Sequence, residues 1–102
     1  MKAVLPERPY PAQGMSPEAW LLHGEVQVVR LDELVGTQTK LSLEVLLGIR
    51  EPQATDPLLH VVWWRGVTYL DNGHVRATRL LLQGEHTALA RVIELDDEGK
   101  RR

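Results

Sequence analysis

TKLSLEVLLGI, residues 39–49, is the stretch whose reading decides the fold. Thr39, Leu41, Leu43, Val45, Leu47 and Ile49 point one way, and Lys40, Ser42, Glu44, Leu46 and Gly48 the other. A period of two held over eleven residues predicts a long, half-buried β-strand. Such a strand calls for a curved antiparallel sheet or small barrel that covers one face and leaves the other wet. Gly48 is the natural place for it to bend.

Working outward, Leu21 to Leu31 reads as a first strand. Val26 and Val28 share a face and Val29 and Leu31 take the other, a change of phase that suggests a bulge. Asp32 to Gln38 is the turn into the long strand, and Arg50 to Pro57 is a loop. Leu58 to Leu70 reads as a third strand with Gly66 bending it, and Asn72-Gly73 as a tight hairpin turn. Val75–Gln83 and Thr87–Leu95 complete five strands. The Val75–Gln83 segment also fits a short helix with Gly84 as its C-terminal cap, but strand is the preferred reading.

Prolines 6, 9, 11 and 17, with Gly14 among them, make residues 1–19 an extended arm, either disordered or lying across a neighbouring subunit. Residues 20–96 form the β domain and 97–102 a charged, solvated tail. The expected class is all-β: a small five-stranded antiparallel barrel with a Pro-rich N-terminal arm.

The order of elements resembles the oligonucleotide/oligosaccharide-binding fold. LHGEVQVVRL, DELVGTQ, TKLSLEVLLGI and LLHVVWW are similar to the first three strands of bacterial single-stranded-DNA-binding proteins and of primosomal replication protein B. The resemblance implies single-stranded nucleic acid as the partner and a role in DNA replication or repair. It departs from that pattern in leaving little room for the helix after the third strand.

One domain fits 102 residues. Without cysteine the chain has no disulfide, thiolate metal site or thiol nucleophile. The four histidines are too widely spaced for a zinc motif, and neither Ser16 nor Ser42 sits in a nucleophile elbow, so neither an enzyme nor a cofactor is expected. With no signal segment or apolar span, the expected location is cytoplasmic.

A net charge of −2 argues against a strongly basic nucleic-acid binder, yet the second half is locally basic, and nine of the twelve basic residues are Arg. Trp63 and Trp64 must leave opposite faces of their strand, and an exposed ring beside Arg65 makes a platform for base stacking. Tyr69 lies near the expected hairpin tip. Arg76 and Arg79 would face opposite ways in a strand, while Arg65, Arg76 and Arg91 align across strands if the register permits, giving phosphate contacts. Trp20 reads as a staple holding the arm.

The first functional expectation is therefore a non-enzymatic single-stranded nucleic-acid binder using Trp63, Trp64, Arg65, Tyr69, Arg76, Arg79 and Arg91. It is expected to be a homodimer, because Leu46 and one Trp fall on the nominally wet side. The alternative is a protein-interaction or assembly module that docks a partner chain on its apolar face.

Overall fold

The computed structural model describes residues 1–37 and 57–102. The strand expected at 39–49 and the loop at 50–56 lie outside them. Within the described residues the architecture is predominantly β. Six strands form one sheet: β1 (Ala3–Val4), β2 (Glu25–Arg30), β3 (Val35–Gly36), β4 (Leu59–Trp64), β5 (Val67–Asn72) and β6 (Thr87–Glu94). Two helices accompany it, α1 (Pro17–His23) and α2 (His74–Leu82).

Among the described residues the strand order is β1-β3-β5-β4-β6-β2, so β1 and β2 are its two edges and these strands do not close on themselves. Pairs β2/β6 and β4/β5 are antiparallel, whereas β4/β6, β3/β5 and β1/β3 are parallel. This corrects the five-stranded antiparallel barrel: the sheet is mixed, open and flanked by helices. Closure depends on which distant segments pair, and alternation within a segment does not encode that.

The hairpin lies elsewhere than expected. Trp64 pairs with Val67, so Arg65-Gly66 is the two-residue connection. Both residues have positive φ, 50° and 78°, as a primed turn requires. Asn72-Gly73 instead starts a helix. Gly73 (φ 97°) is the N-cap of α2, and a Cβ there would sit 2.8 Å from the Leu59 side chain. Residues 74–82 are therefore helical, correcting the preferred strand reading. Gly84 (φ 85°) closes α2 as the alternative had it: its N–H donates to Leu81 O and that of Glu85 to Leu80 O, which satisfies the last carbonyls.

The arm folds onto its own sheet. Lys2 N–H donates to Leu34 O and Leu5 N–H to Gly36 O, which fixes β1 beside β3. Proline does not exclude helix at the arm's end, because Pro17 occupies the first turn, where its missing N–H has no intrahelical partner to lose. Ser16 Oγ caps that helix by accepting the Ala19 N–H. Leu21 to His23 thus belong to α1, and β2 is shorter than expected. It pairs with β6 in unbroken register, so the phase change at Val28-Val29 is no bulge; apolar residues simply occupy both faces.

Both sheet faces carry core. On the first, Leu59, Val61, Ala90 and Val92 pack with Leu31, Leu34, Leu70 and Ala77 of α2. On the second, Val62, Ile93 and Leu95 pack under Tyr10 and Trp20.

Candidate protein-binding surface

The second face is covered over only part of its width. Trp20, which α1 points at the sheet, is 5% exposed and stacks on His60 of β4, with ring centroids 4.5 Å apart and planes 11° from parallel. Tyr10 is buried beside Tyr69 and Trp64. Its hydroxyl donates to the Asp71 carboxylate, which also receives the Arg8 guanidinium at 2.7 Å. Burial, and then the bond to Asp71, hold the Tyr10 hydroxyl pKa far above its usual value. A half-open cleft of about 260 Å³ lies between Arg8, Gln13, Met15, Trp20 and Asp71.

Beyond α1, none of the described residues covers the same face. Register places Val26 beside Arg91 and Val28 beside Leu89, and Arg91 pairs with His60 across β4. Val26, Val28 and Leu89 therefore project on the Trp20 side. They are 50%, 67% and 51% exposed, and Leu21 and Leu22 of α1 are 54% and 77% exposed. Val26, Val28 and Leu89 adjoin one another on neighbouring strands, and with the exposed leucines of α1 they are the kind of apolar display that soluble proteins keep for a partner.

The backbone of β2 adds to it. Leu31 N–H donates to His86 O, continuing the β2/β6 register. In an antiparallel ladder the mutually bonded residues alternate, so Glu25, Gln27 and Val29 bond to β6. The N–H and C=O groups of Val26, Val28 and Arg30 then point to the outer side, where no strand among the described residues pairs with them.

The residues expected to hold nucleic acid do not converge on one patch. Trp63 lies on the first face with the α2 side of the core, and Arg102 sits over its ring at 5.4 Å. Trp64 lies on the second face, its indole N–H donating to Asp96 O. Arg65 stacks on Trp64 at 4.3 Å and donates to Asp97 O, so this pair clamps the C-terminal turn. Tyr69 packs on Tyr10. Arg91 is on the second face, its Cβ against Gly24. Arg76 and Arg79 belong to α2, where three-residue spacing brings them to neighbouring positions instead of opposite faces. The exposed Val26, Val28 and Leu89 were legible as apolar strand residues; their openness was not.

At the far end of the sheet, buried His74 accepts the Thr37 N–H at Nε2 (2.9 Å), while its Nδ1 has no hydrogen-bond partner among the described residues. Burial, reinforced by the Arg8 charge and opposed by Asp71, pushes the His74 pKa down. Among the described residues, no group of three His, Asp or Glu is placed to hold a metal, and no helix is long and apolar enough to cross a membrane.

A family model described as "Antitoxin VapB-like" matches residues 1–96, spanning the arm, both helices and every strand. The chain belongs to the VapB-like antitoxin family. No curated protein matches it. Family membership overturns the resemblance to single-stranded-DNA-binding proteins and primosomal replication protein B, and with it single-stranded nucleic acid as partner and replication or repair as the process. That resemblance rested on period-two strands punctuated by glycine, which open sheets and closed barrels share. An antitoxin's business is with a toxin, which favours the protein-interaction alternative.

Proposed function

We propose that this chain is the antitoxin of a toxin–antitoxin pair and acts without catalysis, neutralising the toxin by direct contact through the bare half of the second face. What carries the reading is the family match together with the exposed group Leu21, Leu22, Val26, Val28 and Leu89. Burying one such side chain contributes roughly 1.5–3 kcal/mol, so a few of them anchor a complex once the costs of ordering are met. The Trp20 half serves a different purpose: it is spent on holding the arm.

Leu22 and Leu89 test the reading, because both are exposed and neither holds the fold. Co-expression with the cognate toxin should restore growth with the natural chain. The Leu22→Lys, Leu89→Lys chain should fail to do so while keeping its melting temperature. Rescue at the natural level by the doubly substituted chain would place the toxin contact elsewhere.

A further inference from the structure

We propose that two copies of this chain pair antiparallel through β2, with Val28 at the two-fold axis. This goes beyond the antitoxin reading and stands or falls without it. Among the described residues β2 is an unpaired edge six residues long, with no proline, no lysine and no break in its register with β6. The opposite edge, β1, is only two residues long and runs towards Pro6. Edges left long and unguarded are templates for another strand.

The pattern of free groups selects the occupant and the register. Val26, Val28 and Arg30 point their N–H and C=O groups outward. An axis at Val28 pairs Val28 with its own copy and Val26 with Arg30 twice, so every outward residue is bonded and no other group is required. An axis at Gln27 would call on Gly24, whose N–H already donates to Trp20 O. An axis at Val29 would call on Asp32, which lies in the 3-10 turn Leu31–Glu33.

Charge agrees with the antiparallel sense. Glu25 opens the strand and Arg30 ends it, so an antiparallel pair keeps the two Arg30 side chains apart at its opposite ends and likewise the two Glu25 side chains, whereas a parallel pair would set like against like. The contact uses the backbone edge and leaves the side chains of Val26, Val28 and Leu89 on the second face. The bare strips of the two copies then become one apolar surface across the axis.

The chain has no cysteine, so single substitutions report the axis cleanly. Facing residues in a mutually bonded pair have Cα atoms about 5.5 Å apart, within disulfide reach. Under mild oxidation Val28→Cys should give a covalent dimer, while Val26→Cys, which faces Arg30 of the other copy, should not. Sedimentation of the unmodified chain should show a concentration-dependent dimer. Val28→Pro removes an N–H that β6 does not use, and should weaken that dimer about tenfold or more with the circular dichroism spectrum retained. Three results would overturn the proposal: a monomer at every soluble concentration, a dimer indifferent to Val28→Pro, or cross-linking equally strong at positions 26 and 28. A monomer whose β2 edge becomes protected only when toxin is added would hand the edge to the toxin instead.

Discussion

Two halves of one sheet face behave differently. Over β4 and β5 the second face is sealed by Trp20, Tyr10 and Met15, brought there by α1 and the Pro-rich arm. Over β2 and β6 the same face shows Val26, Val28 and Leu89 to solvent. The side chains are equally apolar, so composition does not separate them; the reach of the arm does. α1 ends at His23, its cap at Gly24 lies so close to Arg91 that a Cβ there would be 2.7 Å from the Arg91 Cβ, and the chain then turns away to become β2 itself. The arm covers what stabilises the domain and leaves Val26, Val28 and Leu89 exposed, the strip proposed above to meet another chain.

The sharpest way to break this comparison is truncation on each side of it. Trp20→Ala should cost about 3–5 kcal/mol, because it empties a buried, stacked position. Leu89→Ala, on the bare side, should stay within about 0.5–1 kcal/mol. Chemical denaturation of both variants checks this, and equal losses would erase the distinction between the halves.

Asp71 tests how the arm is fastened. Asp71→Ala strands the buried Tyr10 hydroxyl and releases Arg8, and should cost about 2–3 kcal/mol. Most of that belongs to Tyr10, since Arg8 is half exposed and its ion pair is screened by water. Tyr10→Phe should therefore lose a smaller part, about 1–2 kcal/mol, by the same measurement.

A subtler effect is expected from pH. His74 is buried in its neutral form and its pKa is lowered on folding, so below about 6.5 the unfolded chain binds the proton more readily than the folded one. Stability is then complete above the ordinary histidine value and declines as pH falls through it towards the lowered folded value. Protonation would also set an N–H against the Thr37 N–H that Nε2 now accepts. Melting temperatures at pH 7.5 and 5.5 should show the decline, and His74→Gln should shrink it.

Part of this arrangement was legible in the residues. β6 is where alternation placed it, and the adjacent pair Trp63-Trp64 divides between the two faces as strand geometry demands. Gly84 marked a helix end that the competing strand reading passed over. Asn72-Gly73 misled because a positive-φ glycine serves a helix start as readily as a hairpin, while the true hairpin uses Arg65, a residue that seldom takes φ 50°. The site was less legible. A Trp beside an Arg looks the same whether it awaits a base or, as here, clamps its own C-terminal turn. That β2 is an edge is a fact about pairing between distant segments, and no window of sequence contains it.

Methyl chemical shifts recorded while cognate toxin is added test the division of the face most directly. The methyls of Leu22, Val26, Val28 and Leu89 should shift on binding while those of Val62 and Leu95, under the arm, hold still. Shifts confined to Val62, Leu95 and the residues around Trp20, with the bare strip unmoved, would contradict it.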